Sequence, residues 1–444
     1  MAKKLHTAQT AKKLPTAQAA KKLPAAQAGV KLSSPPDQRF ECRDCPARCC
    51  RLPWSIRFSS EEAARYLSDP WVRERAGAEG LEVIERGVLP MREKDRRLQC
   101  VFLDDDMLCG MQKQSGHGYI PRACQAFPFG FVRDEREVVI AQLSNLCPSI
   151  RDSYGEPVEG QLKAKLEQVG GPGRMSKAMA TLRGVMLTQA QYLRVTSGWG
   201  EQLASGPSPA STLAQIHDWL IAFEGALPDG VERVTDASVG SALDLANGQE
   251  VAPLLPRRRS SFYARVLFAY LLGNLCYPSR VGLAHRVEKA PWFRLQSLRG
   301  FGNKVRWMLE RGTVDMLLVP KPFKLQRVRA VGRFLGEDEG ALVKDYLRLV
   351  LQRRQIFSEP RHLLAVVLDL SLATAVISRF ARCRAAADGR TKVTQDDVRE
   401  GIGVAELLLL SHAALSEQGR LMRNLRWLLL GKRESFRDVL ATEA

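Results

Sequence analysis

The chain has 444 residues. One ordinary core holds roughly 100–200 residues, so this length predicts two or three domains. Hydrophobic residues make up 45% and charged residues 26% of the chain, which is close to the globular average and excludes a fibrous or wholly disordered protein. Lys+Arg 66 exceed Asp+Glu 48, giving a net charge of +18.

The positive charge is concentrated at the two ends of the chain. Residues 251–444 carry 34 Lys+Arg against 18 Asp+Glu, residues 1–40 are also basic, and residues 41–250 are net acidic. A basic half favours an anionic partner such as nucleic acid, an acidic protein or a membrane surface. The alternative is a solvated, arginine-rich helical surface with no such partner.

The sequence shows neither the pattern of a membrane-spanning helix nor that of an export signal. No run of 18 apolar residues occurs, and the longest apolar stretch, 363–377, contains Asp369. We therefore expect no transmembrane segment. The lysines at the start are not followed by an apolar segment, which argues against a secretory signal and predicts a cytoplasmic protein with reduced thiols.

A low-complexity tail is predicted over residues 1–38. Three copies of a nine-residue Ala-Lys-Lys-Leu unit begin at Ala2, Ala11 and Ala20, and prolines interrupt the second and third copies. Each unit is too short to bury a face, so we expect this segment to be disordered.

A small cysteine-rich α+β domain is predicted over residues 39–155. Ser59 and Glu62 form a capping box that starts a short helix. The apolar side of this helix is expected to be Ala63, Ala64 and Leu67. Residues 138–143 are typical of a strand, following a turn at 133–136.

A helical linking region is predicted over residues 156–256. Apolar residues recur there at helical spacing, namely Leu162, Leu166, Met175, Met179, Leu182, Met186 and Leu187. The segments 206–209 and 254–259 are expected to break the helices, because they are rich in proline, glycine or arginine.

Residues 257–444 are predicted to form a basic, mainly α-helical domain, so that the whole chain is α+β with a helical C-terminal region. The periodic apolar runs lie at 262–275, 346–351, 363–380 and 402–415. Thr394 and Asp397 predict a helix start. Trp427–Leu430 is expected on the last helix, and Val314–Val319 is the only strand-like segment in this part.

The cysteines are strongly clustered. Eight of the ten fall between residues 42 and 147: Cys42, Cys45, Cys49, Cys50, Cys100, Cys109, Cys124 and Cys147. A CxxC turn lets two thiolates converge on one ion, so this pattern predicts that the eight are metal ligands. Disulfides would need an exported compartment and separate bridges for two adjacent cysteines. Cys276 and Cys383 are expected to be core residues.

The spacing leaves the metal open. Eight thiols suit two four-thiolate zinc sites or one or two iron–sulfur clusters, and the spacing matches neither a zinc ribbon nor a bacterial ferredoxin run. His117, between Cys109 and Cys124, could be an auxiliary ligand or a loop histidine without a role.

These residues resemble the YkgJ-type cysteine-cluster family, a bacterial zinc- or iron-chelating domain. The matching stretches are Cys42-Arg-Asp-Cys-Pro-Ala-Arg-Cys-Cys50, Cys100-Val-Phe-Leu-Asp104, Leu108-Cys109, Tyr119-Ile-Pro-Arg-Ala-Cys124 and Phe127-Pro128. The resemblance covers residues 40–155 and implies cysteine ligation of a metal, favouring an iron–sulfur cluster over zinc.

Further motifs resemble the longer branch of that family, the flagellin lysine-N-methylases. They are Trp54-Ser-Ile56, Leu108-Cys109-Gly-Met-Gln112 and Leu143-Ser-Asn-Leu-Cys147-Pro148 leading to Arg151. This similarity implies S-adenosylmethionine as a cofactor and a flagellin-like protein substrate. No strand followed by a GxGxxG turn supports the cofactor independently, since Pro172 interrupts Gly170–Gly173.

No catalytic residue follows from the sequence. Asp104, Asp105, Asp106 and Tyr119 lie beside the cysteines and could assist proton removal from a lysine amine, but an exposed acidic turn and a packed tyrosine are the favoured explanation. The second hypothesis is a non-enzymatic, metal-stabilised interaction module. Its basic helical half, with runs at 257–259 and 321–329, would bind a protein or nucleic acid, although no known nucleic-acid motif is present.

Overall fold

The computed structural model describes most of the chain between residues 31 and 443. The described residues are 31–35, 37–42, 47–52, 56–94, 97–134, 136–169, 171–174, 178–182, 185–227, 234–247, 254, 261–276, 293–332, 336–353, 361–410 and 433–443. The repeats, Cys45, Met175, the 257–259 run and Trp427–Leu430 lie outside them.

The described elements alternate between short strands and helices up to residue 188 and are mainly helical thereafter. The strands are β1 Leu32–Ser33, β2 Arg39–Phe40, β3 Met91–Lys94, β4 Arg97–Cys100, β5 Phe129–Arg133, β6 Val139–Leu143, β7 Glu156–Pro157, β8 Gly173–Arg174, β9 Ala178–Leu182, β10 Val185–Thr188, β11 Thr313–Val314, β12 Phe323–Lys324 and β13 Arg361–His362. The described chain is therefore α+β with a helical C-terminal part.

Helices contribute most of the ordered backbone. Those before residue 190 are α1 Ser60–Ser68, α2 Pro70–Glu85, α3 Gly110–Ser115, α4 Arg122–Ala126, α5 Pro148–Arg151 and α6 Leu162–Val169. The later helices are α7 Gln189–Ser205, α8 Pro209–Ala226, α9 Asp236–Asn247, α10 Phe262–Leu271, α11 Phe293–Leu309, α12 Leu325–Val328, α13 Glu337–Gln352, α14 Leu363–Ala387, α15 Gln395–Ala405 and α16 Arg433–Glu443. A π-helical turn, Glu406–Leu410, continues α15.

One small sheet joins the cysteine-rich part to the helices. Its order is β1-β6-β5-β8, and β5 and β6 form an antiparallel hairpin that pairs Phe129 with Leu143. Val132 and Ile140 on this hairpin belong to the large helical core. Phe131 and Val139 instead belong to a smaller core with α6. The hairpin is therefore shared between two packing layers.

Helix α14 occupies the centre of the large core. It is long and apolar enough to cross a membrane, but 94% of its most apolar window is buried inside the protein. Helices α8, α13, α15 and α16 pack against it. The apolar run around Asp369 is therefore explained by burial within this protein.

Several local predictions are confirmed. Ser59 caps α1, with Glu62 completing the capping box. Thr394 and Asp397 form the same arrangement at α15. Helices α7 and α8 are separated at residues 206–208, as the proline-rich break predicts.

Other local predictions are wrong. The described part of the segment 175–187 is a β-hairpin, β9–β10, and not a helix. Burial in β10 alternates, with Val185 and Leu187 buried and Met186 exposed, so the same apolar residues satisfy a two-residue period. In α1, Ala64 is exposed and Tyr66 is buried instead. Of the predicted strand Val314–Val319, only Val314 lies in a strand, β11, and Met316 forms an isolated bridge with Cys276.

A buried carboxylate fastens the hairpin to the helical core. Glu406 accepts hydrogen bonds from Arg353 Nη1 at 2.8 Å and from the Tyr346 hydroxyl at 2.9 Å. It also accepts from Ser144 Oγ at 3.4 Å and Asn145 N at 3.3 Å, just after β6. The pKa of Tyr346 is well above its usual range because the hydroxyl is desolvated and faces this carboxylate.

Removing one partner of this ion pair should be costly. We expect Arg353→Met to lower the free energy of unfolding by about 3–5 kcal/mol, because Glu406 would remain buried without its counter-charge. The double variant Arg353→Met with Glu406→Leu should recover much of that loss. Urea denaturation measures both variants, and a double variant no more stable than the single one would contradict this interpretation.

Candidate metal centre

Four cysteines from four separate segments share one small apolar core. Cys100 lies within this core, and Cys50, Cys109 and Cys124 pack against it. The other members include Tyr66, Phe102 and Ile120. Cys49 is hydrogen-bonded to its neighbour, with the Cys49 and Cys50 sulfur atoms 3.9 Å apart. Five of the eight predicted ligands are therefore brought together.

A tight turn brings the chain back, so that Cys109 lies beside the end of β4. Leu103 and Cys109 form an isolated antiparallel bridge, and Gly110 N donates to Phe102 O at 2.8 Å. Cys109 then caps α3. A Cβ atom at residue 110 would lie 3.1 Å from both Phe102 O and Trp71 Cη2, so only glycine fits this return comfortably.

Glu62 positions the segment that carries Cys124. One carboxylate oxygen accepts from Ser59 N at 2.9 Å and completes the cap of α1. The other oxygen accepts from Arg122 N at 2.8 Å, at the first residue of α4. A capping box that sequence analysis assigns a local role thus also holds a cysteine-bearing helix 60 residues away.

Burial keeps these thiols protonated in the absence of a cation. Desolvation raises the pKa of Cys100, of Cys109 and of Cys124, and charge on the neighbouring cysteines raises each of them further. The hydrogen bond that Cys49 shares with Cys50, together with burial, raises the pKa of Cys49 well above its usual range. That hydrogen bond lowers the pKa of Cys50, but burial and the neighbouring sulfurs raise it overall. A bound cation would reverse this balance.

The other predicted ligands lie elsewhere or outside the described residues. Cys147 is buried in the smaller core with Phe40 and Phe129, at the start of α5. Cys42 is exposed and lies near Lys165, whose pKa is lowered by burial although the Cys42 charge raises it. Cys45 is not among the described residues.

The side chains considered for proton transfer are engaged in structural contacts. Asp104 accepts from Arg75 Nη2 at 2.8 Å, while Asp105 pairs with Lys94 and Asp106 with Lys113. These contacts describe an exposed, ion-paired acidic turn.

Tyr119 is likewise a structural contact. Its hydroxyl donates to Asp69, and its carbonyl accepts from the Tyr66 hydroxyl at 2.9 Å, which ties this loop to α1. His117 is exposed in the turn that precedes it.

The donor chemistry fits a metal, although the ligand set is not closed. Among the described residues, no three His, Cys, Asp or Glu side chains are grouped closely enough to hold an ion as they stand. None of the nine described cysteines is in a disulfide. All five gathered side chains are thiols, the donor type that zinc and iron–sulfur clusters share. The site therefore suits zinc or an iron–sulfur cluster by donor type.

Helix α15 holds two cysteine-bearing segments in place. Glu400 forms ion pairs with Arg48, next to Cys49, and with Arg151 Nη2 at 3.2 Å. Arg151 Nη1 also donates to Arg399 O at 2.7 Å. Arg151 belongs to a sequence motif, but the motif does not indicate its partner. The contact between Arg48 and Glu400 is long-range, so no sequence pattern predicts it.

Loss of the Glu400 charge should expose the Cys49–Cys50 turn. In Glu400→Gln, Arg48 and Arg151 lose their ion pairs with this residue, and thiol labelling at this turn should accelerate by about five-fold, equivalent to about 1 kcal/mol of lost ion pairing. Labelling followed by peptide mass spectrometry measures the rate at each cysteine. The control is Glu434→Gln, an exposed residue of α16, and equal rates in both variants would refute the role of Glu400.

Comparison with known proteins returns no relative. No family model, no curated protein and no solved structure matches this chain. The resemblance to the YkgJ-type family therefore rests on the motifs quoted above and on no further similarity.

Proposed function

We propose that this chain is a thiolate metal-binding protein whose centre is formed by Cys49, Cys50, Cys100, Cys109 and Cys124. The observation that carries the proposal is the convergence of these thiols, from four chain segments, in one apolar core. Buried cysteines without a function are common one at a time. Five that gather at one apolar core are better explained by a shared cation.

Four thiolates complete a tetrahedral zinc site or hold one iron–sulfur cluster. Cys100, Cys109 and Cys124 supply three of them, since each comes from a different segment. The fourth is Cys49 or Cys50, whose sulfur atoms are adjacent. When bound, the metal would stabilise the thiolate forms and link the segments, so that folding of this core depends on it.

Cys42 and Cys147 remain candidate ligands of a second centre. Cys147 belongs to the core around Phe40 and Ile150, which is separate from the core of the first centre. With Cys45, these residues would provide three thiols. The proposal therefore includes a second centre with Cys147 as its buried ligand.

Substitution of one ligand should remove metal from one centre only. We expect Cys109→Ser to lose the metal of the first centre and to become sensitive to proteolysis, because a structural metal contributes its binding energy to folding. Cys147→Ser should keep that metal. Metal analysis of each purified variant measures this, with Cys383→Ser in α14 as the matched control. Unchanged metal content in Cys109→Ser would refute the ligand assignment.

The adjacent pair can be resolved in the same way. Cys49→Ser and Cys50→Ser differ by one residue and are each other's control. If one of the two is the fourth ligand, only that variant should lose metal in full, while the other should retain most of it. Full metal retention in both variants would exclude the turn from the centre.

The resemblance adds an activity, methyl transfer from S-adenosylmethionine to a protein lysine. We include it in the proposal on the motifs alone. Among the described strands, parallel pairing is limited to two-residue contacts such as β1–β6 and β5–β8, so no nucleotide-binding sheet supports it. A cytoplasmic location would keep the thiols reduced for either activity.

Lysine methylation is testable with a cluster-deficient control. We expect the metal-loaded protein to transfer label from S-adenosylmethionine to flagellin and Cys109→Ser to transfer none. Mass spectrometry of the flagellin lysines measures the product. No transfer by the metal-loaded protein, together with no S-adenosylmethionine binding in calorimetry, would leave the metal-binding proposal standing and remove the methylase.

Burial of several arginines argues against nucleic-acid binding by the basic half. Arg353, Arg379 and Arg382 are almost fully buried. Arg379 pairs with Glu310 at 2.6 Å, and Arg390 pairs with Asp397 at 2.6 Å. Part of the positive charge is therefore neutralised inside the protein and does not contribute to a phosphate-binding surface. The interaction module remains the alternative if the chain lacks activity.

A further inference from the structure

Two packed helices expose an unusual share of large apolar side chains. Of the ten such side chains exposed among the described residues, five lie on α10 and α11. They are Phe262, Tyr263, Phe301, Met308 and Leu309. Single exposed apolar residues are ordinary, but a group of this size on two neighbouring helices indicates an interaction surface.

The two helices pack against each other and run antiparallel. Arg265 Nη1, near the start of α10, donates to Met308 O near the end of α11 at 3.3 Å. Further along, Lys304 Nζ lies 5.3 Å from the centre of the Tyr270 ring. The residues of α10 and α11 therefore form one continuous face, which we call the α10–α11 face.

Helix α11 exposes a line of apolar side chains, whereas the apolar side of an amphipathic helix usually faces the core. Phe301, Met308 and Leu309 follow one side at helical spacing and are exposed, while Trp307 and Glu310 on the opposite side are buried. Because 100° separates successive residues, Lys304 and Arg306 flank the exposed apolar stripe on its two sides. Apolar side chains thus lie between two cations.

The face carries no exposed negative charge within the described residues of its two helices. In segments 261–276 and 293–311 the only carboxylate is Glu310. It is buried and pairs with Arg379 at 2.6 Å and Arg329 at 2.7 Å. The partner must therefore be apolar and anionic at once.

The shape of the face distinguishes a flat partner from a peptide. Phe262 is 57% exposed, Phe301 65% and Leu309 57%. Side chains that line a groove lose exposed area to its walls, so side chains with these values project from the surface. Projecting apolar residues flanked by Lys and Arg suit the headgroup region of an anionic bilayer, which takes up the apolar groups and attracts the cations.

We propose that the α10–α11 face binds anionic membrane surfaces peripherally, with Phe301 and Leu309 entering the headgroup region and Lys304 and Arg306 contacting lipid phosphates. This site is independent of the cysteines. Membrane binding would explain why the basic half of the chain retains exposed charge next to apolar groups on this face.

Sedimentation of the full-length protein with lipid vesicles tests the proposal. The vesicles are phosphatidylcholine alone or phosphatidylcholine mixed with phosphatidylglycerol. We expect binding to the mixed vesicles only, weakening with added salt. Lys304→Gln with Arg306→Gln should reduce partitioning by roughly 25-fold, since each cation near an anionic surface contributes about a factor of five. Phe301→Ser with Leu309→Ser should also reduce it.

The control is Ile221→Ser with Met186→Ser, which removes exposed apolar groups elsewhere. Circular dichroism shows that each variant is folded. The proposal is overturned if the wild type binds no vesicles, if it binds neutral vesicles equally, or if the control loses as much binding as the α11 variants. Binding to duplex DNA that the Lys304→Gln, Arg306→Gln variant abolishes, without vesicle binding, would assign the face to nucleic acid instead.

Discussion

The structure around residues 47–126 depends on keeping five thiols together in an apolar core. Burial raises the pKa of Cys100 and of Cys124, and thiolates in such a core would repel one another. Two responses are physically available, namely protonated thiols or a cation between thiolates. Metal binding is the proposal that gives the convergence a function, because it turns the cost of grouping the sulfurs into folding energy.

The rest of the fold acts on that core through a few long-range contacts. Glu62 links α1 to the helix carrying Cys124, and Glu400 links α15 to the turn carrying Cys49. Glu406 fastens the β5–β6 hairpin to the helical core. The helical region therefore contacts the cysteine-rich part through two acidic side chains, Glu400 and Glu406, while Glu62 links segments within that part.

The two halves of the chain differ less in available charge than their compositions suggest. Acidic side chains of α15 and its π-helical turn neutralise arginines from both the cysteine-rich part and the helical part. The positive charge that remains available to a partner is local. The α10–α11 face combines such charge with exposed apolar groups. A net charge summed over 194 residues could not have located that face.

Local signals in the sequence predicted the helix starts at Ser59 and Thr394, because capping depends only on neighbouring residues. The segment 175–187 was misassigned, because its apolar spacing fits both helical and alternating periods and β-pairing with residues 361–362 is long-range. Cysteine clustering along the sequence predicts a metal site, which stays a prediction, and the division of the cysteines between two cores could not be predicted. That division depends on how α1, α4 and α15 pack, which no spacing encodes.

The central claim is that the gathered thiols bind a metal. Anaerobic purification of the full chain, followed by an absorption spectrum and analysis for iron, sulfide and zinc on one sample, tests it most directly. The account predicts stoichiometric zinc, or iron and sulfide with broad visible absorption. A folded, colourless protein with neither metal, whose cysteines all react as free thiols after unfolding, would contradict it.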